Sequence, residues 1–186
     1  MGQYGSILSG HPTIEVPGIE VNTGALGHGL SIGVGMALAA KMNHQSYKTY
    51  VLMGDGEQGE GSIYEAAMAA NQYKLDNLVA IIDRNRLQIS GTTEEVMAIE
   101  DIYQRWTALG WDVKHMNGDN IEDIVNCFSE IDFESKRPHL LISHTTKGKG
   151  VSYMENVTKW HHGVPNQEEF DLAIKEISER IATLEK

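Results

Sequence analysis

Two polar residues stand where predicted strands end, and their side chains are the kind that bind a small hard cation. Asp55 lies between Gly54 and Gly56 after one apolar run, and Asn85 follows the next run, with residues 57–84 between Gly56 and Asn85. Mg²⁺ accepts few protein oxygens and completes its octahedron with phosphate oxygens and water. Taken singly, each residue is an ordinary turn or loop residue. Their matching positions, with open glycine amides beside them, predict a site for a metal and a diphosphate.

The elements that must position these residues alternate along the chain. Short apolar runs predict strands at 50–53, 78–82, 111–113 and 139–143. Helical patterns fall at 30–42, 62–73, 99–109, 121–131 and 168–184. Strands that alternate with helices of this length are typical of βα units with right-handed crossovers. The sequence therefore predicts an α/β fold with a doubly wound parallel sheet flanked by helices, where ligands gather beyond the carboxyl ends of the strands.

Composition limits the classes of protein to which the chain can belong. Its 186 residues fit a single domain, expected to span 1–186. A formal charge of −11 argues against nucleic acid and anionic membranes as partners, because both need basic surfaces. Apolar runs fall short of a membrane span. Cys127 is the single cysteine, so with no recognisable leader a reducing cytoplasm is the expected location.

Glycine is abundant, with 19 residues that concentrate between positions 18 and 61. The stretch 27–33 spells G-x-G-x-x-x-G before a predicted helix, which offers dinucleotide binding as an alternative, although 19–23 is a poor buried strand. Inside that helix, Gly33 and Gly35 are expected to allow close helix packing. Glu57 and Gln58 are expected to solvate a helix start. The 168–184 helix carries apolar residues at helical spacing and is expected to pack on the domain.

Several short motifs resemble one enzyme family. The order Gly54-Asp55-Gly56 followed by Asn85 resembles the signature of thiamine-diphosphate enzymes. Further motifs in the same order resemble transketolase; they are Ser9-Gly10-His11-Pro12, Thr23-Gly24-Ala25-Leu26-Gly27-His28-Gly29, Ile89-Ser90-Gly91, Thr145-Thr146-Lys147-Gly148 and His161-His162-Gly163. The similarity runs from about Gln3 to Pro165. It implies the thiamine-diphosphate-binding fold of the family's N-terminal, diphosphate-binding domain, or of a split-gene N-terminal subunit.

The resemblance implies thiamine diphosphate and Mg²⁺ as cofactors, with Ca²⁺ or Mn²⁺ as alternative cations. Asp55 and Asn85 match the side-chain metal ligands, and the carbonyl of Leu87 matches a third ligand. Gly54 and Gly56 match residues around the metal and diphosphate, where Gly56 offers its amide. The other matched cofactor contacts face the aminopyrimidine or pack against the cofactor, and these are Gly24, Leu26, Leu87 and Ile89.

The same resemblance implies a set of catalytic residues. His11 matches a histidine near the substrate hydroxyls, and His162 matches one that reaches both the diphosphate and the substrate. Imidazoles suit such proton handling because their ordinary pKa lies near neutral pH. Lys147 matches a position near the substrate channel that is basic in part of the family. Glu60 and Glu65 match acidic residues at the interface between subunits, which link two active sites.

The implied activity is transfer of a two-carbon ketol unit between sugar phosphates in pentose phosphate metabolism. The family's segment ahead of Gln3 and its pyrimidine-binding domain are absent from the sequence, so activity is expected only with a C-terminal transketolase subunit, and a homodimer is expected. A second hypothesis is a catalytically incomplete domain that folds and self-associates without turnover. A third is a component of another thiamine-diphosphate enzyme, such as a 2-oxo acid dehydrogenase α subunit or a deoxyxylulose-phosphate synthase. The 9–12 and 23–27 motifs favour transketolase.

Overall fold

The chain folds around one parallel β-sheet. A computed structural model describes residues 5–8 and 10–184. The strands are β1 (Thr49–Gly54), β2 (Leu78–Arg84), β3 (Leu87–Gln88), β4 (Gly91–Thr92), β5 (Asp112–Asn117) and β6 (His139–His144). The four long strands are parallel in the order β1, β2, β6, β5, whereas β3 and β4 pair as a short antiparallel ribbon.

Helices connect and cover these strands. They are α1 (Gly29–Met42), α2 (Gly61–Gln72), α3 (Thr93–Val96), α4 (Ile102–Ala108), α5 (Ile121–Ser129) and α6 (Gln167–Leu184), with 3₁₀ turns at Gly56–Gly59 and Thr158–His161. The expected helix at 99–109 begins later, because Asp101 caps α4 by accepting a bond from the Gln104 amide at 3.2 Å. Helix α3 and the β3–β4 ribbon were not predicted by the sequence patterns.

Alternating side chains of the central strands enter two separate cores. Leu78, Ala80 and Ile82 of β2 belong to the larger core, which α1, α2 and α4 cover, whereas Val79 belongs to a smaller core beneath α5. Residues of β6 alternate in the same way, with Leu140 and Ile142 in the larger core. Because helices cover both faces, the doubly wound α/β prediction is confirmed.

Part of the sheet face shared with α5 carries exposed apolar side chains. Tyr50 and Leu52 of edge strand β1 are 53% and 73% exposed. The Tyr50 ring lies 6.0 Å from the Phe128 ring of α5, centre to centre. The described part of the chain therefore covers this face at β2, β6 and β5 more completely than at β1.

Helix α6 lies on the surface, and its apolar stripe is only half covered. Ala173 is its buried residue, while the stripe is 41–51% exposed at Phe170, Ile174, Ile177 and Ile181. Hydrogen bonds attach the helix to the preceding loop, including one from the Tyr153 hydroxyl to the Glu169 carbonyl at 2.6 Å. The helix prediction is confirmed, and the apolar stripe that was expected to pack on the domain is about half exposed.

The described helices include no candidate membrane span. Within residues 5–8 and 10–184, none combines the length and the apolar character needed to cross a bilayer.

The two glycines inside α1 differ in their surroundings. A Cβ built at Gly33 would overlap Cγ2 of Val51 on β1. Helix α1 can therefore pack this closely on the sheet only because residue 33 has no side chain. A Cβ built at Gly35 meets nothing within 4 Å. The packing prediction is therefore confirmed for Gly33 and wrong for Gly35 within this chain.

We expect Gly33→Ala to lower the free energy of unfolding by about 1–3 kcal/mol, because the added methyl group overpacks the contact with Val51. Gly35→Ala is the matched control and should be neutral or stabilising, since alanine favours helix by up to about 1 kcal/mol. Urea denaturation of both variants measures the difference. Equal losses in the two variants would contradict this account of Gly33.

Candidate functional site

The carboxyl ends of three strands meet at one edge of the sheet. Gly54 of β1 is paired with Asp83 of β2, and Arg84 of β2 is paired with His144 of β6. The residues that follow these strands therefore lie side by side. This edge brings together Asp55 and Asn85, as the sequence predicted.

Asp55 is a buried carboxylate whose two oxygens are both engaged. The residue is 1% exposed, and Oδ1 accepts a bond from the Gly56 amide at 2.8 Å. Oδ2 accepts bonds from the Arg86 amide at 2.5 Å and from Nη1 of Arg84 at 3.1 Å. Such a carboxylate can stay buried because charged and neutral donors replace water.

Asn85 supplies an amide oxygen to the same loop. Its Oδ1 accepts a bond from the Leu87 amide at 3.0 Å, and the residue is 9% exposed. Asp55 and Asn85 therefore hold the consecutive amides of Arg86 and Leu87, which brings the two predicted metal ligands to the same loop. Leu87, the third predicted ligand, begins β3 in that loop.

The donors at this loop fit a magnesium ion. They comprise one carboxylate, one amide oxygen and a backbone carbonyl, all of them hard oxygens. Among the residues that the structure describes, no group of three or more His, Cys, Asp or Glu side chains is arranged to hold a metal. A site with so few protein ligands suits Mg²⁺, which keeps water or phosphate oxygens in its shell, better than Ca²⁺, which takes six to eight oxygens.

Glu57 connects the turn after β1 to the glycine-rich loop. Its Oε1 accepts a bond from the Gly27 amide at 2.7 Å, and its Oε2 accepts one from the Gly54 amide at 3.1 Å. Gln58 is 1% exposed, and its Nε2 donates to the Gly54 carbonyl at 3.2 Å. The expectation that both residues merely solvate a helix start is therefore wrong. The sequence signal for the bridging role of Glu57 is an acidic residue directly after the Gly-Asp-Gly turn.

The predicted pyrimidine loop lies against a predicted catalytic histidine. Gly24 has a φ of +118°, and a Cβ built there would stand 3.3 Å from Cδ2 of His11. The Thr23 hydroxyl donates to the Pro12 carbonyl at 2.8 Å, which fastens the two segments together. Leu26 is 58% exposed at the end of this loop. Ser9, the first residue of the 9–12 motif, lies outside the described residues, as does Gln3.

His162 and Lys147 lie on two further loops of the site edge. The His161 and His162 rings are 4.6 Å apart, centre to centre, at the end of a 3₁₀ turn that packs against β3. Partial burial lowers the pKa of His161, and the charges of Lys147 and His162 lower it further. Lys147 therefore lies close enough to act electrostatically on His161. His162 is exposed, and so is Ile89 at the tip of the β3–β4 ribbon.

Glu60 and Glu65 lie at the start of α2. Glu60 is the N-cap residue of the helix, and both side chains are exposed. A Cβ built at Gly27 would meet Glu60 Cβ at 2.7 Å, so the glycine-rich loop approaches this end of α2 closely. Among the described residues, neither acidic side chain forms a hydrogen bond or an ion pair with Asp55 or Asn85.

A cavity of about 290 Å³ opens beside Arg84 at the same sheet edge. It is lined by Arg84, Glu100, Asp101, Ile102, Tyr103, His115, Ile142 and His144. Nδ1 of His115 lies 2.8 Å from Nε2 of His144, and the Tyr103 ring stacks on His115 with centres 5.3 Å apart. The sequence patterns assign no function to this histidine pair, since the two residues lie on different strands and share no motif.

A family model described as "Transketolase, thiamine diphosphate binding domain" matches residues 1–179. One subunit of the apulose-4-phosphate transketolase of Phocaeicola vulgatus is 76% identical over all 186 residues, and the chain spans 66% of its length. The protein of the same name from Actinobacillus succinogenes is 46% identical over 175 residues, and the match covers 94% of this chain and 63% of that protein. The chain thus spans just under two thirds of these relatives.

Solved structures show the same likeness. The crystal structure of transketolase from Campylobacter jejuni superposes with a TM-score of 0.85 at 35% identity, over 95% of this chain and 29% of that one. Because the match covers 95% of this chain, the structural similarity extends over nearly the whole described fold.

We expect the stability of the protein to fall in mild acid because His144 is held neutral. Burial lowers the pKa of His144 below its ordinary value of 6.5, with His115, Arg86 and Arg84 adding to the effect and Glu100 opposing it. The unfolded chain therefore binds a proton at a higher pH than the folded chain. The stability that the neutral ring contributes is complete above pH 6.5 and is lost as the pH falls toward the lowered pKa.

Urea denaturation between about pH 7.5 and 5 measures this effect in wild type and in His144→Gln. The variant should lose part of the acid sensitivity, because its side chain does not titrate. His28→Gln, which removes an exposed imidazole elsewhere, controls for the loss of one histidine. An identical pH dependence in wild type and His144→Gln would rule out this role for His144.

Proposed function

The chain belongs to the transketolase family, within its thiamine-diphosphate-binding domain, and on this premise we propose that it is the diphosphate-binding component of a split transketolase. The assembled enzyme would move a two-carbon ketol unit from a ketose phosphate to an aldose phosphate. The observation that carries the proposal is the meeting of Asp55 and Asn85 at one loop, where they hold consecutive amides at 2.5 and 3.0 Å.

Residues at this loop would bind the cofactor's charged end. Asp55, Asn85 and the Leu87 carbonyl would hold Mg²⁺, and the turn formed by Gly54 and Gly56 would receive the diphosphate. Thiamine diphosphate, when bound, supplies the carbanion chemistry that amino-acid side chains lack. The protein's task is therefore to hold and orient this group, and buried oxygens with fixed partners suit that task.

Histidines on either side of the loop would handle protons. His11, which lies against Gly24 next to the pyrimidine loop, would contact the substrate hydroxyls. His162, on the loop after the 3₁₀ turn, would reach the diphosphate and the substrate. Lys147 would add positive charge there for a phosphorylated sugar. An imidazole that is neutral near pH 7 can both accept and donate a proton.

A partner chain would complete the active site. The relatives at 76% and 46% identity are each named as one subunit of a transketolase, which supports a second chain that carries the pyrimidine-binding domain. We also propose a homodimer through the exposed side of α1 and α2, where Glu60 and Glu65 would link two sites. Exposed apolar residues support this surface: Ile32 is 41% and Met68 is 54% exposed.

The substrate proposal rests on the relative at 76% identity. Its name specifies apulose 4-phosphate, and its similarity extends over all 186 residues. We propose apulose 4-phosphate as the first substrate to test. Family membership favours transketolase over the α chain of a 2-oxo acid dehydrogenase. A reducing cytoplasm remains our prediction for the compartment, since the single Cys127 is free.

We expect the chain to bind thiamine diphosphate only in the presence of Mg²⁺, and Asp55→Asn to weaken this binding by at least about 100-fold. Losing a direct ligand should cost more than the roughly tenfold to 100-fold typical of its outer partners. Isothermal titration calorimetry measures both affinities. Asp76→Asn is the matched control, since Asp76 is also buried and pairs with Lys41 at 2.6 Å, before β2 begins.

The control variant should bind like wild type despite the loss of a buried carboxylate. Absence of binding by wild type would overturn the cofactor proposal and favour the alternative of a domain that folds without turnover. Unchanged affinity in Asp55→Asn would refute the assignment of the metal ligand.

We expect ketol transfer only when the chain is co-expressed with a pyrimidine-binding partner chain, because this partner would supply the other half of the cofactor site. Apulose 4-phosphate and xylulose 5-phosphate serve as alternative donors in a coupled assay. Light scattering of the purified complex should give two copies of the chain. Turnover by the isolated chain would contradict the need for a partner.

A further inference from the structure

Arg84 is a buried cation at the point where two halves of the candidate site meet. It ends β2, and its side chain is 3% exposed. Nη1 donates to Asp55 Oδ2 at 3.1 Å and to Thr93 Oγ1 at 2.8 Å. Nε and Nη2 donate to Glu100 Oε1 at 3.2 and 2.7 Å. One guanidinium therefore ties the turn after β1 to the segment that follows the β3–β4 ribbon.

The Thr93 contact continues to the loop that holds the predicted ligands. The Thr93 amide donates to the Arg86 carbonyl at 3.0 Å, while the Arg86 amide donates to Asp55. Arg84, Thr93, Arg86 and Asp55 thus form a closed ring of hydrogen bonds around the start of β3. Leu87 follows Arg86 directly, so its position depends on this ring.

We propose that Arg84 is a positioning residue for the cation and diphosphate site, an inference that rests on the function proposed above. It acts through Asp55, whose Oδ2 it holds, and through Thr93, which fixes the loop at Arg86. An arginine suits this place because its planar fork directs several donors at once. A lysine would keep the charge but could not span Asp55 and Glu100 with the same geometry.

Charge alone predicts the opposite effect on metal binding. Arg84 lies among three carboxylates, those of Asp55, Glu94 and Glu100, so this cluster carries a formal charge of −2. Removing the arginine would make the cluster more negative by one charge and attract a cation more strongly. A positioning role instead predicts weaker binding, since the carboxylate and the loop lose their fixed arrangement. The sign of the change therefore separates the two roles.

The test compares Arg84→Gln and Arg84→Lys with wild type in two measurements. Amide hydrogen exchange of the chain without cofactor reports whether the 85–93 segment stays ordered. Calorimetry with thiamine diphosphate and Mg²⁺ reports affinity. Arg105→Gln is the matched control, because exposed Arg105 also contacts the same segment as Arg84, donating to the Glu100 carbonyl at 3.3 Å.

We expect Arg84→Gln to lose exchange protection at 85–93 and to bind the cofactor about 10- to 100-fold more weakly, as for other residues that orient a metal ligand. Arg84→Lys should lie between Arg84→Gln and wild type, and it keeps the test decisive if the glutamine variant does not fold. Arg105→Gln should match wild type in both measurements.

Unchanged exchange protection in the folded variants would overturn the positioning role, whatever happens to binding. Tighter binding by Arg84→Gln, or wild-type behaviour of Arg84→Lys, would overturn it as well. If protection is lost but wild type shows no binding heat, the ordering role stands and the proposed cofactor function fails. The two claims are therefore tested separately.

Discussion

The burial of the Asp55 carboxylate is the constraint on which the sheet edge depends. A charge that is 1% exposed needs donors in place of water. The Gly56 amide, the Arg86 amide and the Arg84 guanidinium meet that need. A Cβ built at Gly56 would stand 3.1 Å from the Gln88 Cβ, so glycine lets the ribbon close over the turn.

A second carboxylate joins this turn to the glycine-rich loop. Glu57 accepts bonds from the amides of Gly27 and Gly54, and the Ser62 hydroxyl donates to the Gly27 carbonyl at 2.8 Å. The loop is thus held by both the turn and the start of α2. In the proposed function, the turn would contact the diphosphate end of the cofactor and the glycine-rich loop would contact its pyrimidine end. These hydrogen bonds therefore fix the two contact regions relative to each other.

The sequence was sufficient to predict the four strands of the parallel sheet and the residues that follow them, because apolar runs between polar turns reflect burial on both sheet faces. Asp55 and Asn85 could be predicted to meet, since parallel strands end at one edge. The contact between Arg84 and Asp55 could not be predicted, because residue spacing along the chain does not specify where the arginine side chain points. The environments of Gly33 and Gly35 also differ only in three dimensions, as one faces Val51 and the other faces open space.

The positions of the three tryptophans give the protein two separate optical reporters. Trp106 and Trp111 pack edge to face in the larger core, with ring centres 4.7 Å apart. Trp160 lies outside that core, in the 3₁₀ turn before His162, with the Lys159 ammonium 4.4 Å from its ring centre. Indole fluorescence responds to local polarity and charge. Replacing Trp160 alone therefore separates the emission of the core from that of the site edge, and no external dye is needed.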